Sequence, residues 1–304
     1  MIFKLDESVL ASTDKKTFAN FISIASKANQ KVDCTESVWN YIEQQILNTN
    51  YLGKIDIEEI KENVDLRDIK TIYRTHFTEV LVGNGEDMIN IDVALQILNN
   101  ESYIILENSR YDWPTIKKWI ETFDGKVGDK YKTINSIVHN AVKNNKLLPD
   151  HAGGCGRNII NRIETLRNGK YAQIYSFKLS TIYDSDKKSK EEGTKHPELE
   201  EYLSENHILR HELIKREIEN YYSQAAYEEA MLAKGKNVLP LGDEEYDYLD
   251  ITKCGLFNLK KSDMENMPLY IKPKRLIRRI QNNMADFKGE YEIQVIIFML
   301  AKII

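Results

Sequence analysis

The chain has 304 residues, 42% of them hydrophobic, enough to close a sizeable core in one elaborated domain or two compact ones. Its net charge of −5 excludes a generic polycationic nucleic-acid binder, yet it allows a local basic groove and an acidic site for divalent metal. No run approaches the roughly 20 apolar residues of a spanning helix, and the N-terminal MIFKLDESVLASTDKK carries acids where a secretory signal places basic and then apolar blocks, so a cytoplasmic protein with no membrane partner is expected.

Residues 1–100 read as a helical N-terminal region. In ESVWNYIEQQIL, Trp39, Ile42 and Ile46 recur at helical spacing behind Thr35, a candidate N-cap, and IDVALQIL at 91–98 repeats the pattern. GNG at 83–85 marks a loop between helices. The texture changes at Tyr103, where YIIL forms a short β-compatible run that ends at Glu107. DWPTIKKWIETF follows as a helix with Pro114 in its first turn. In KLLPDHAGGCGRNIINRIETL, a strand near Leu147 leads through a glycine-rich turn at 153–156 into a helix whose Ile159, Ile163 and Leu166 share a face. YSFKLSTIYDSD is a third strand, and it stops on Asp184 and Asp186. Strands alternating with helices imply a small, mostly parallel sheet whose functional loops lie at the strand carboxyl ends.

Residues 187–205 are charged and poor in apolar side chains, an exposed loop leading into a short helix. HIL at 207–209 reads as another strand, and the REIENY segment then brings Glu217 and Glu219 beside Arg216 and Tyr221. Residues 226–304 read as a helical C-terminal region with a loop over 236–247. Its tail, VIIFMLAKII, is either a buried helix or an apolar stripe for a partner subunit, so a homo-oligomer is compatible with the sequence.

Glu107, Asp184, Asp186, Glu217 and Glu219 are therefore expected to converge on one edge of a parallel sheet. Convergent carboxylates bind hard cations: Mg²⁺ prefers oxygen ligands and keeps waters and substrate phosphates in its shell. The plain alternative for each is a strand exit, a cap or a solvated helix acid. Cys34, Cys155 and Cys254 have no paired zinc spacing, and their odd number argues for reduced thiols. His207 and His211 lie four apart without an evident third ligand. GGCG at 153–156 is either a phosphate-cradling turn or a plain tight one. The basic run Lys272, Lys274, Arg275, Arg278 and Arg279 is either a phosphate-backbone contact or the polar face of a helix.

The order of YIILE at 103–107, AGGCGRN at 152–158, TIYDSD at 181–186 and REIENY at 216–221 resembles the TOPRIM domain of OLD-type nucleases. The last motif is similar to the form found in TOPRIM nuclease subunits of bacterial anti-phage systems, including the effector of the PARIS system, which work beside an ATPase. The resemblance spans residues 101–225 and implies a TOPRIM-like α/β catalytic domain between the helical regions 1–100 and 226–304. It implies a Mg²⁺-dependent nuclease, with Mn²⁺ able to substitute, that cleaves DNA or RNA as a toxic effector in antiviral defence.

Carried over by position, it makes Glu107 a metal ligand or general acid/base, Asp184 and Asp186 the principal ligands, and Glu217 and Glu219 ligands of a second metal. Lys274, with Lys272 as the alternative, is the implied stabiliser of transition-state charge. The family's first motif usually has glycine after the glutamate and an acid four residues on. Here Asn108 follows, the acid is Asp112, five on, and Tyr111 takes the expected place, which leaves the role of Asp112 open. The chain has no G-x-x-x-x-G-K-[ST] phosphate loop, so the ATPase is expected to be a separate polypeptide. Two other readings stand beside this one: a TOPRIM-bearing primase or topoisomerase-related enzyme, and a non-catalytic interaction subunit with a degenerate domain.

Overall fold

The computed structural model describes residues 1–27, 30–47, 60, 75–124, 130–232, 242–251, 253–254 and 261–304. It is an α/β protein built on two small parallel sheets with helices packed on them, and it divides into two compact units. The first comprises Met1–Glu101 with Ala301–Ile304, and the second Ser102–Leu300.

In the first unit, β1 (Ile2–Leu5) lies between β2 (Lys31–Cys34) and β3 (Glu79–Val82), all parallel. The helical reading of residues 1–100 is therefore incomplete. Each strand has only four residues, and a run that short carries too little period to separate strand from helix. Helix α1 (Lys15–Lys27) buries Phe18, Phe21, Ile22 and Ala25, with Phe3 of β1 meeting Phe21 edge-on at 5.5 Å. Thr35 caps α2 (Glu36–Tyr41) as expected: its hydroxyl accepts from the Val38 N–H at 3.4 Å. The helix then continues as a π turn over Ile42–Ile46. The glycine pair at 83 and 85 opens the connection from β3 to α3 (Ile91–Asn99), whose Asn90 side chain caps Val93 N–H at 2.9 Å.

The second unit is laid on a four-stranded, all-parallel sheet of order β5-β4-β6-β7. Its strands are β4 (Ser102–Leu106), β5 (Leu147–His151), β6 (Leu179–Tyr183) and β7 (Leu209–Glu212). Every residue of β6 is buried, the pattern of a central parallel strand covered on both faces. The chain runs from β4 to β5 through α4 (Ser109–Phe123) and α5 (Lys132–Lys143), then to β6 through α6 (Gly156–Arg167) and a single turn at Tyr175–Lys178. It reaches β7 through α7 (Pro197–Glu205). Pro114 falls inside α4 rather than in its first turn, because the helix starts at Ser109; it removes one intrahelical donor there.

Beyond β7, a 3₁₀ turn at Ile218–Tyr221 leads to α8 (Gln224–Leu232), α9 (Asp243–Asp247), α10 (Pro273–Ile280) and α11 (Glu292–Ala301). The described residues of the C-terminal region are mostly helical, but the structure shows no domain boundary at 225/226, since 102–300 form one unit. The reason is a set of polar bonds that composition does not reveal. Asp247 and Arg279 bond to the 215–220 segment, and Glu292 accepts from Ile214 N–H at 2.9 Å. The apolar tail is a buried helix through Ile293, Ile296, Ile297 and Leu300. Half of the expected loop over 236–247 lies outside the described residues, and its described end contains α9. Among the described residues no helix is long and apolar enough to cross a membrane.

Candidate acidic site at the carboxyl edge of the second sheet

The register places the site. Leu106 of β4 pairs with Ile182 of β6, so Glu107 and Asp184, which follow these strands, leave the same carboxyl edge side by side. The path from β4 goes first to β5 on one flank and then to β6 on the other, so this edge is the topological switch point of the sheet, where the departing loops splay apart and open a crevice. A small cleft lies there, lined by Glu107, Asp112 and Asp184 together with Ile116, Leu213 and Ile218.

Five carboxylates share this cleft's field. The Asp184 carboxyl is driven well above the ordinary carboxylate range, first by burial and then by the charges of Asp112, Glu219, Glu107 and Glu217. Its Oδ1 accepts from the Ile218 N–H at 2.9 Å, which ties the end of β6 to the REIENY segment. Glu217 is pushed up to about 7 by burial and by Glu219 and Asp250, against the opposing pull of Arg216. Glu219 is 7% exposed. Asp112 stands in the first turn of α4, and its Oδ2 accepts from Asn108 N–H at 3.0 Å. The open question about Asp112 is thus resolved in position: it joins Asp184 in the cleft although its spacing from Glu107 departs from the family pattern.

Asp186 takes a different neighbourhood. Its backbone is left-handed at φ 55°, a conformation that aspartate tolerates better than most residues, and its N–H donates to Arg216 O at 3.0 Å. That turn carries its carboxylate to His196, with Nε2 3.5 Å from Oδ2, rather than to Asp184. The contact with His196 holds Asp186 below the ordinary carboxylate value, and the bond to Asp186 raises the His196 imidazole in turn. Sequence reading missed His196, which lies inside the charged 187–205 stretch and meets Asp186 from ten residues away.

Lys274 is exposed on α10 and, among the described residues, pairs with none of the acids; Lys272 pairs with Glu229 at 2.9 Å. Arg216 instead stands beside these acids, with Nε 3.3 Å from Glu217, and the His196 imidazole lies against Asp186. The glycine turn closes the other side. Gly153 and Gly154, at φ 98° and 94°, direct their N–H groups to the Glu107 carbonyl at 3.2 and 2.8 Å, which fixes the exit of β4. Of the histidine pair, His211 bonds the buried Glu292 at 2.9 Å, a use that leaves no zinc pair with His207. The three cysteines are free.

The donor set fits a hard divalent cation in kind, since it is all carboxylate and its charges oppose one another. It does not fit as a ready cage: among the described residues no group of three or more His, Cys, Asp or Glu stands close enough to hold a metal ion. Comparison with protein-family models, with curated proteins and with solved structures finds no match to this chain.

Proposed function

We propose that the chain is a TOPRIM-like, metal-dependent nuclease that hydrolyses phosphodiester bonds in DNA or RNA, tRNA included. In this reading it is a toxic effector of bacterial anti-phage defence, acting in the cytoplasm under a separate ATPase. The observation that carries the proposal is that Glu107, Asp112 and Asp184 line one cleft at the switch point while the charges of Glu217 and Glu219 also bear on Asp184, a repulsion that a bound cation would relieve.

Glu107, Asp112, Asp184, Glu217 and Glu219 would hold Mg²⁺ or Mn²⁺. The ion would supply Lewis-acid activation of the phosphoryl group and of a bound water. Glu217, pushed up to about 7, is matched to accept and return a proton near neutral pH. Arg216 and His196 supply positive charge at the rim, the part that the resemblance gave to Lys274, and Asp186 orients His196.

The test is cleavage of plasmid DNA and of total tRNA in Mg²⁺ or Mn²⁺, with Mn²⁺ binding followed by calorimetry. Wild type is expected to cut one of the two substrates, and the Asp184→Ala, Asp186→Ala double variant neither. Absence of both cleavage and Mn²⁺ binding in the wild type would replace this reading with a non-catalytic interaction subunit. Metal binding without cleavage would assign activation to the partner.

A further inference from the structure

We infer that Asp247 on α9 and Arg279 on α10, far along the chain from every candidate ligand, are positioning residues that hold the acid-bearing segment 214–221 in place. The consequence for metal binding rests on the reading just given; the positioning itself does not.

The segment is gripped from two sides. On the sheet side, Ile218 N–H donates to Asp184 Oδ1 at 2.9 Å. On the helical side, Asp247 receives the Lys215 ammonium at 2.5 Å on Oδ2 and Arg279 Nη2 on Oδ1, while its own carbonyl accepts from Arg216 N–H at 3.0 Å. Arg279 reaches past Asp247 to donate from Nη2 to the Asn220 carbonyl at 2.8 Å. Its guanidinium lies 4.6 Å from the Tyr246 ring centroid. The Asn220 side chain closes the circuit: Oδ1 accepts from Glu217 N–H at 2.8 Å, and Nδ2 donates to the carbonyls of Tyr246 at 2.6 Å and Leu249 at 3.0 Å.

Lys215 is fully buried and Arg279 is 8% exposed, and the Asp247 carboxylate serves both cations, while the exposed Asp243 adds a contact to Arg279 Nη1 at 3.3 Å. Burial and the charge of Arg279 lower the Lys215 ammonium, and Asp247 opposes both. Neither cation reaches the cleft, and an ion pair this deep is a weak source of net stability. Beside the Asp186 N–H bond to the Arg216 carbonyl and the Ser185 hydroxyl bond to the Lys215 carbonyl, the arrangement holds the backbone at Arg216 and Asn220 directly and at Glu217 through the Asn220 side chain, the frame from which Glu217 and Glu219 project. Asp247 is the shared member, and Arg279 carries its hold to the far end of the 3₁₀ turn.

The test combines hydrogen exchange of peptides spanning 214–222 with Mn²⁺ titration calorimetry. Wild type is compared with Asp247→Asn, Asp247→Glu and Arg279→Lys, and with Arg278→Ala, an exposed change on the same helix. Expected in Asp247→Asn are exchange faster by about tenfold or more within 214–222 and Mn²⁺ binding weaker by about 10–100-fold, the loss typical when a residue supporting a ligand is removed. Asp247→Glu, which keeps a carboxylate between the two cations, should recover most of both, and Arg278→Ala should change neither. Arg279→Lys keeps its charge but loses the fork to Asn220, so it reports the same effect if Asp247→Asn does not fold. Unchanged exchange in 214–222 in either folded variant overturns the inference. Faster exchange alongside a wild type that binds no Mn²⁺ supports the positioning and overturns only the metal reading.

Discussion

At Asp184, burial and four neighbouring carboxylates act in the same direction, and each makes the ionised form less favourable. Without metal, the Asp184→Asn variant is therefore expected to be more stable than wild type, since asparagine can still accept the Ile218 N–H bond. A gain of about 1 kcal/mol would raise the melting temperature by about 2–4 °C in a chain of this size. The same variant should lose the Mn²⁺-induced rise that wild type shows; thermal denaturation with EDTA and with Mn²⁺ checks both halves. Asp184 was legible from its place after an apolar strand. The separation of Asp186 from it was not, because a left-handed backbone at one residue sends two acids of an Asp-x-Asp pair to different partners.

Two elements frame the acids, and each can be tested alone. The glycine turn holds Gly154 at φ 94°, with open space where a side chain would begin, so Gly154→Ala meets no steric clash but enters a strained backbone region. The expected loss is about 1–3 kcal/mol, read by chemical denaturation. Helix α11 is anchored by Glu292, which is fully buried. Burial alone would raise its carboxyl, but the bonds from His211, Ile214 N–H and Tyr221 outweigh it and hold the group below its ordinary 4.5. A depressed carboxylate contributes stability that is present above its unfolded value and lost as pH falls through its folded value. Glu292→Gln should thus cost about 3 kcal/mol at neutral pH, and the variant and wild-type stabilities should converge as pH drops below 4.5. Denaturant titrations across that range measure the convergence. Strands β4, β5 and β6 were legible because each apolar run ends in a turn signal or an acid, whereas the strand read at 207–209 meets β7 only at Leu209; the first sheet was not, because its four-residue strands carry no period.

For the whole molecule, metal should act on one unit. The acids lie in the unit formed by Ser102–Leu300, so Mn²⁺ should slow hydrogen exchange around 106–112, 182–186 and 214–221 while leaving β1, β2 and β3 unchanged. At a concentration a hundredfold above its dissociation constant, Mn²⁺ should add about 2.7 kcal/mol to the stability of that unit. Protection that appears in the first unit instead would place the cation elsewhere.

The sequence by itself determined the α/β alternation from residue 103 onward, the carboxyl-edge placement of Glu107 and Asp184, and the helical nature of the described residues within 226–304, because these rest on local period and on how strands end. Only the tertiary structure decided that Asp112 joins the acids, that Lys274 stands away from them, and that Asp247 and Arg279 hold the 214–221 segment. Those outcomes depend on contacts between residues far apart in the chain and on the handedness of single backbone positions, and neither leaves a pattern in a local window of sequence.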